Sequence, residues 1–308
     1  MSKYNDIDIA ILGHIAKDII EIDGISKPSL GGGVYYGGLT GSRMNLKIAI
    51  ITRLREVDFP ILDTMRKEGI IIYAHPANET SGIHNIYSSQ NMEFRSYKPL
   101  GFAGSFIQSE IPEINPRFFV IGSILAGEVD IGLLKFLSKR FKHKLCLDIQ
   151  GFIRMRENDK ILYRKMDESL QSEILSLADI LKVDQTELNI LTDESHLLNG
   201  ALKLAKKYDN LKEILITHET GISLLIKDKY YISPWKNKSS IGRTGRGDTA
   251  FISYLGARIS SDPKKALKFS AALTSIKMES QGPFTFSIQD VENLIEKEYG
   301  TFSKRRKD

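Results

Sequence analysis

The sequence contains a single cysteine and has no long apolar run. One cysteine cannot form a disulfide within the chain, so we expect a reducing compartment. Cys146 lies in an apolar triplet, where a buried strand residue is the expected role and a catalytic thiol is the alternative. No window approaches the roughly 20 apolar residues of a membrane span, and the first six residues lack the apolar core of a signal peptide. We therefore expect a cytoplasmic protein without a membrane partner.

The chain also carries little net charge, because 43 basic and 38 acidic residues give a formal value of +5. Part of this excess lies in the tail at residues 304–307, which we interpret as a solvated terminus. Nucleic acid is therefore not an expected partner. The 308 residues contain no internal repeat, low-complexity tract or linker. We expect one domain over residues 1–308, since this length suffices for a large hydrophobic core.

Short apolar runs alternate with longer amphipathic stretches along the chain. Apolar runs without polar alternation are typical of strands buried on both faces, and the helices between them indicate βαβ units. We therefore predict an α/β fold with a central, mainly parallel sheet and helices on both faces. The predicted strands are 7–12, 48–51, 70–73, 118–122, 144–148, 180–183 and 214–217. The predicted helices are 58–68, 130–139, 167–177, 185–191, 194–208 and 248–259.

Two regions do not follow this alternation of apolar runs and amphipathic stretches. Residues 74–98 are polar and aromatic with alternation, which predicts antiparallel strands outside the main sheet. Together with residues from about 14 to 30, they would form a small β lid, whose exposed edge would also suit a homodimer contact. Residues 221–232 predict a β-hairpin just before a glycine-rich segment.

That segment, Gly245-Arg246-Gly247-Asp248, precedes an apolar helical stretch. Glycines let the backbone approach a ligand closely, and a helix N-terminus offers unpaired N–H groups to an anion. A carboxylate beside such groups can accept the proton of an attacking hydroxyl during phosphoryl transfer. The alternative is an ordinary turn with Asp248 as a helix N-cap.

The same segment resembles the C-terminal signature of the ribokinase-like carbohydrate kinases, the PfkB family, whose pattern is Asp-Thr-x-Gly-Ala-Gly-Asp. The match runs from Thr244 to Asp248, whereas Gly242 and Arg246 stand where the family has Asp and Ala. The resemblance implies a ribokinase-like fold and an ATP-dependent kinase. It also implies that Asp248 is the catalytic base and that the backbone of Gly245, Arg246 and Gly247 forms an anion hole.

Two further segments match the substrate side of the family. Asp18 follows the first strand, at the sheet edge where ligands bind in open α/β folds; the alternative is a solvated loop residue. Gly32 and Gly33 resemble the family's N-terminal glycine pair and would let the backbone approach a polyol. Tyr36 is either a wall of that pocket or part of the core.

Two more segments match the nucleotide side. Asp184 and Glu187 resemble the family's Asn-x-x-Glu element, which implies a Mg²⁺ ion held through water. The alternative is a helix capping box, and both interpretations can hold together. Thr217 and Gly221 resemble an element that lines ATP in the family. Thr244, and Ser275 from its position in the chain, are the remaining ATP contacts that we expect.

The loop at residues 148–154 concerns the substrate. Asp148, Gln150 and Arg154 could hydrogen-bond several hydroxyls or a carboxylate, with a structural arginine as the alternative. The loop resembles that of the myo-inositol kinase branch, so we expect a polyol or sugar substrate, inositol-like or a sugar acid. The alternatives are a nucleoside kinase on the same fold and a non-catalytic nucleotide-binding regulator, which the departures at Gly37 and Gly242 would favour.

Overall fold

The computed structural model describes residues 7–300, except for the side chains of residues 91–95. The basic tail at residues 304–307 therefore lies outside the described residues. In chain order, the strands are β1 Ile9–Leu12, β2 Ala16–Ile22, β3 Ile25–Gly31, β4 Ile48–Leu54, β5 Ile71–Pro76, β6 Gly82–Ser88, β7 Asn91–Gly101, β8 Phe118–Ile121, β9 Leu145–Asp148, β10 Arg154–Glu157, β11 Lys160–Tyr163, β12 Ile180–Asp184, β13 Glu213–His218, β14 Gly221–Ile226 and β15 Lys229–Pro234. The helices are α1 Gly33–Arg43, α2 Asp63–Lys67, α3 Ile131–Arg140, α4 Gln150–Ile153, α5 Glu168–Leu175, α6 Gln185–Thr192, α7 Leu197–Lys207, α8 Arg246–Arg258, α9 Pro263–Met278 and α10 Ile288–Glu298.

The main sheet has nine strands in the order β15-β14-β13-β12-β9-β8-β1-β4-β5. The pairs from β13 across to β5 are parallel, and only β14 and β15 run antiparallel to their neighbours within it. All seven strands predicted from the sequence belong to this sheet, and the predicted hairpin is β14–β15. The α/β fold with a mainly parallel sheet is therefore confirmed.

Helices cover both faces of the main sheet, which explains why its strands are apolar without alternation. In β1, Ala10 and Leu12 pack into a core formed with α3, α5, α6 and α7. Ile9 and Ile11 point to the opposite face and pack with α1, α8 and α9. Because successive side chains of a strand point to opposite faces, a strand covered on both sides needs apolar residues at every position.

Two parts of the helix prediction differ from the structure. The predicted helix at 58–68 is a 3₁₀ helix, Glu56–Leu62, followed by α2. Pro60 lies inside it and has no N–H to donate, which disfavours a continuous α-helix. Helices α1, α4, α9 and α10 lie outside the helix ranges predicted from the sequence, although α9 begins with a readable signal: Asp262 caps it and Pro263 follows at the first helical position.

A second, small sheet has the order β3-β2-β6-β7. It consists of two antiparallel hairpins, β2–β3 and β6–β7, which are joined by parallel pairing of β2 with β6. The polar stretch predicted from residue 74 contributes to this small sheet only from Gly82, because Ile71–Pro76 extends the main sheet as β5. Within residues 7–300, no helix combines the length and the apolarity needed to cross a membrane.

Candidate active site

The start of α8 is the centre of the site. Gly245 caps this helix with φ of 79°, in the left-handed region that glycine adopts without strain. A side chain at this position would also collide with the ring of Tyr36. Gly245 is therefore required for two reasons: its backbone conformation and the lack of space for a side chain. The N–H of Arg246 donates to the carbonyl of Arg243 at 3.0 Å, so the N–H groups of the next helical residues are the ones left for an anion.

Asp248 lies in the first turn of α8, where it meets the N-terminus of a second helix. A Cβ on Gly33, the first residue of α1, would lie 3.3 Å from Oδ1 of Asp248 and 2.7 Å from the carbonyl oxygen of Gly122. Gly32 precedes it with φ of 94°. The glycine pair thus brings the start of α1 directly against the Asp248 carboxylate, as close backbone approach requires.

A cavity of about 60 Å³ opens beside the start of α8. Its lining comes from the turn before α8, the start of α8 and the carboxyl ends of β9, β12 and β13, where ligands bind in open α/β sheets. Every lining residue is polar or glycine: Gln150, Lys182, Asp184, Thr217, Arg243, Gly245, Arg246, Gly247 and Asp248. Three of these side chains are cationic, so the cavity suits an anion.

Lys182 is a site residue that the sequence prediction misses. It is nearly fully buried, and its Nζ lies 3.0 and 3.1 Å from the two carboxylate oxygens of Asp148 and 3.7 Å from Oε2 of Glu187. These carboxylates hold the pKa of Lys182 above its usual range despite burial, so the ammonium stays charged. The readable signal is a lysine inside the otherwise apolar run of β12.

Asp184 and Glu187 form the predicted capping box at the start of α6. Oδ1 of Asp184 accepts from the N–H of Glu187 at 2.8 Å, and Oε2 of Glu187 accepts from the N–H of Asp184 at 2.6 Å. Burial, followed by the neighbouring charge of Asp184, raises the pKa of Glu187 to about 8. The capping interpretation therefore describes the contacts that these two residues make.

Of these two carboxylates, only that of Asp184 reaches the cavity where a hydrated Mg²⁺ ion would bind. Asp184 lines the cavity, whereas Glu187 is fully buried, and its Oε1 has no hydrogen-bond partner among the described residues. Between residues 7 and 300, no group of three or more His, Cys, Asp or Glu side chains is placed to hold a metal ion. A Mg²⁺ ion that keeps several waters and borrows phosphate oxygens needs no such group.

The small sheet faces the site through Asp18 and Tyr87, and Tyr36 of α1 lies near both. Asp18 lies within β2 rather than in a loop after β1, and its Oδ1 accepts from the N–H of Ile83 at 2.8 Å. The hydroxyl of Tyr87 lies 2.9 Å from Oγ1 of Thr244, which joins the small sheet to the turn before α8. Tyr36 is buried, and burial together with the charge of Asp18 raises its pKa.

The polar residues in and after β9 lie in two places, with Asp148 beside Lys182 and Arg154 beside two tyrosine rings. The carboxylate of Asp148 is paired with Lys182 and accepts from the N–H of Gln150 at 3.1 Å, and both of these partners line the cavity. Arg154 is buried, and its guanidinium lies 4.6 Å from the ring centroid of Tyr97 and 6.0 Å from that of Tyr163. Its Nε is buried without a hydrogen-bond partner among the described residues.

The predicted ATP contacts are only partly brought together. Thr217 lines the cavity, and Thr244 lies in the turn before α8. Ser275 is completely buried in α9, where its hydroxyl donates to the carbonyl of Ala271 and accepts from the N–H of Lys236. Gly221 begins β14, where a Cβ would lie 2.5 Å from the carbonyl oxygen of Ser233. The structure therefore does not bring Ser275 to the cavity, and it accounts for Gly221 by strand packing.

No family model matches the sequence, and a comparison with curated proteins finds no match. Comparison with solved structures gives matches over nearly the whole chain. A pyrophosphate-dependent kinase in the ribokinase family, solved with sulfate, has a TM-score of 0.85 and 30% sequence identity over 92% of this chain and 99% of that one. This chain belongs to the ribokinase family.

Two other solved structures are also similar to this ribokinase-family chain. A pyrophosphate-dependent kinase in the family, complexed with a pyrophosphate analog and myo-inositol, has a TM-score of 0.84 at 30% identity, over 92% of this chain and 99% of that chain. A ribokinase from Arabidopsis thaliana with ribose and ATP has a TM-score of 0.73 at 18% identity, over 94% and 99% of the two chains. The predicted kinase family is thereby confirmed, and with it the enzyme class, a phosphotransferase that acts on a hydroxyl group.

Proposed function

We propose that this ribokinase-family chain phosphorylates a hydroxyl of a cyclic polyol such as myo-inositol, with pyrophosphate as the phosphoryl donor. The observation that carries the proposal is the small, polar, cationic cavity beside Asp248 at the start of α8. The sequence resemblance alone implies ATP as the donor. The cavity supports pyrophosphate instead.

The size and lining of the cavity favour pyrophosphate. A volume of about 60 Å³ is small beside the roughly 300 Å³ or more of pockets that hold drug-sized ligands. An adenine ring also needs apolar or aromatic walls, whereas this lining is polar or glycine throughout. Lys182, Arg243 and Arg246 supply three cations, which suits the dense charge of an inorganic phosphate. Two relatives that are 30% identical are pyrophosphate-dependent kinases.

The substrate proposal rests on the face between the small sheet and the loop after β9. This face offers the Asp18 carboxylate, the Arg154 guanidinium and the Tyr97 ring, and Gly31, just before the glycine pair, lies against Asp18. Hydroxyls on a ring match such alternating donors and acceptors, and the ring itself packs on aromatic and aliphatic surface. One relative was solved with myo-inositol.

In the reaction that we propose, the acceptor hydroxyl lies between Asp248 and the bound donor. The hydroxyl proton passes to the Asp248 carboxylate, a bond forms between the acceptor oxygen and phosphorus, and the bond to the bridging oxygen breaks to release orthophosphate. The N–H groups and dipole of α8, with Lys182 and Arg246, stabilise the charge that develops on the transferred group. A Mg²⁺ ion near Asp184 and Glu187 would neutralise donor charge when bound.

We further propose that the small sheet acts as a lid. Its Tyr87 reaches Thr244 in the turn before α8, so movement of the sheet is coupled directly to the anion hole. Closure would exclude water from the transferred phosphoryl group and limit hydrolysis of the donor. The exposed outer edge at Ile25 in β3 would suit the homodimer contact expected from the sequence.

A matrix of donors and acceptors tests the proposal. The purified chain with Mg²⁺ would be given pyrophosphate or ATP, each with myo-inositol, other inositols, ribose, fructose, sugar acids, adenosine or cytidine, and products followed by ³¹P NMR. We expect a phosphate monoester from pyrophosphate and myo-inositol. Preference for ATP would overturn the donor proposal, and preference for a nucleoside would overturn the polyol proposal. Binding of a donor without any product would support the non-catalytic regulator.

A further inference from the structure

Lys277 is a completely buried lysine near the end of α9. Its ammonium donates to two backbone carbonyls, those of Gly242 and Thr244, and lies 5.0 Å from the centroid of the Tyr36 ring. Both carbonyls belong to the turn that leads into Gly245 and the start of α8. The lysine therefore bonds to the backbone on which the anion hole is built.

The end of α9 packs directly against this turn. The N–H of Gly242 donates to the carbonyl of Met278 at 2.9 Å. A side chain at Gly242 would overlap the carbonyl oxygen of Ser280 and would lie 2.9 Å from that of Lys277. The departure from the family pattern at Gly242 thus has a physical reason: an aspartate does not fit where the last turn of α9 approaches.

A lysine is an expensive choice for this buried position, since desolvating an ammonium costs several kcal/mol and an apolar side chain would fill the same space. Burial lowers the pKa of Lys277 to about 7, with the charge of Asp248 acting to raise it and that of Arg246 to lower it further. Two carbonyl oxygens that converge on one buried point, however, require a donor or a cation there. The amino group of Lys277 donates to both carbonyls, and its protonated form also adds positive charge behind the N-terminus of α8.

We propose that Lys277 is a positioning residue, a built-in cation that holds the carbonyls of Gly242 and Thr244 and so fixes the anion hole for phosphoryl transfer. The inference rests on the proposed role of that hole. It adds a residue that contacts neither donor nor acceptor and acts through the turn.

The test is chemical rescue of a Lys277→Ala variant of the full chain, assayed with pyrophosphate and myo-inositol. We expect kcat to fall about 10- to 100-fold, since small displacements of a reacting group have effects of this size, while KM for myo-inositol changes less than threefold. Ammonium or methylammonium ions should restore part of the kcat, because either can occupy the space between the two carbonyls. The same ions should leave the wild-type kcat unchanged.

Lys268 provides the matched control, since it lies on the same helix and donates to the carbonyl of Tyr299 at 3.0 Å. The Lys268→Ala variant should keep its kcat and show no response to ammonium. An unchanged kcat in Lys277→Ala, or a reduced kcat without rescue in a variant of normal thermal midpoint, would overturn the inference.

A second readout separates this inference from the proposed function. Pyrophosphate affinity, measured by calorimetry, needs no acceptor, and we expect it to fall about tenfold in Lys277→Met, which keeps the aliphatic length. If the wild type binds pyrophosphate but phosphorylates no polyol, the proposed function fails while the role of Lys277 is still measured. If Lys277→Ala does not fold, the Lys277→Met variant decides the question. An unchanged pyrophosphate affinity in Lys277→Met would overturn the proposed role of Lys277.

Discussion

Lys182 and Asp148 face each other on adjacent strands, β12 and β9, and form an ion pair that is almost completely buried. The same ammonium lies 3.7 Å from Glu187. It would also lie 3.1 Å from a Cβ on Gly247, so the absence of a side chain there lets the cation reach the start of α8. One lysine thus connects the two buried carboxylates to the anion hole.

Replacement of Lys182 by Met should weaken both the fold and the binding of the donor. The buried Asp148 carboxylate would lose its cation, which typically costs about 3–5 kcal/mol of unfolding free energy, measured by urea denaturation at pH 7. The affinity for pyrophosphate should fall at least about tenfold. In the Lys182→Met/Asp148→Asn double variant, stability should largely return while donor affinity stays low. Full affinity in either variant would contradict contact between Lys182 and the donor.

The Asp248→Asn variant tests the base. An amide keeps the shape of the carboxylate but cannot take the hydroxyl proton, so kcat should fall by about 10²–10⁴. Pyrophosphate affinity by calorimetry should change little, since the N–H groups of α8 remain. Asp63→Asn, at an exposed position in α2, is the control and should keep full activity. Residual kcat within tenfold of the wild type in Asp248→Asn would rule out the role as base.

The contact between Tyr87 and Thr244 is suited to a double-mutant cycle. Each single variant, Tyr87→Phe and Thr244→Val, should lose about 1 kcal/mol of transition-state stabilisation, or about fivefold in kcat/KM. Because both variants remove the same hydrogen bond, the double variant should lose little more than either one. Fully additive losses would show that the small sheet does not act on the turn through this contact.

Glu128 predicts a specific pH dependence of stability. Its carboxylate is fully buried and accepts from the N–H groups of His14, Ile124 and Leu125. Burial raises its pKa from 4.5 to about 7, so the folded chain holds this proton more tightly than the unfolded chain does. The stabilisation is complete below about pH 4.5 and is lost as pH rises to about 7, a decline of about 3 kcal/mol.

Urea denaturation at several pH values checks this decline. In the Glu128→Gln variant, the slope of unfolding free energy against pH between 4.5 and 7 should be more positive than in the wild type, in which His14 and His218, with lowered pKa values, contribute a slope of the opposite sign. The control Glu173→Gln changes a half-exposed carboxylate that pairs with Lys135 and should keep the wild-type slope. Equal slopes in Glu128→Gln and the wild type would contradict the raised pKa.

The sequence predicts the main sheet well because its signal is local. Runs such as Ile9–Leu12 and residues 48–51 are apolar at every position, and the structure buries them on both faces. Helix α9 is missed because its buried face includes Ser270, Thr274, Ser275 and Lys277, which read as polar positions. The hydroxyls of Ser270 and Ser275 and the ammonium of Lys277 bond to groups that are distant in the sequence, and no local pattern reports these contacts.

The candidate site likewise contains some residues that the sequence predicts and others that it does not. Motif positions such as Gly245 and Asp248 are readable because one short segment supplies both the turn and the carboxylate. Lys182, in contrast, becomes a site residue only through register, since pairing of β12 with β9 sets it beside Asp148. Ser275 was expected near ATP from its position in the chain, but helix packing turns it inward.

The way in which the small sheet is assembled has a consequence for folding order. Its two hairpins are separated in the chain by α1, β4, α2 and β5, and an isolated two-stranded hairpin is marginally stable in water. Parallel pairing of β2 with β6 requires that the intervening crossover be in place first. We therefore expect this sheet to form last and to open first. Its amide hydrogens should exchange with solvent before those of β1 and β4, while the main sheet and its helices stay folded.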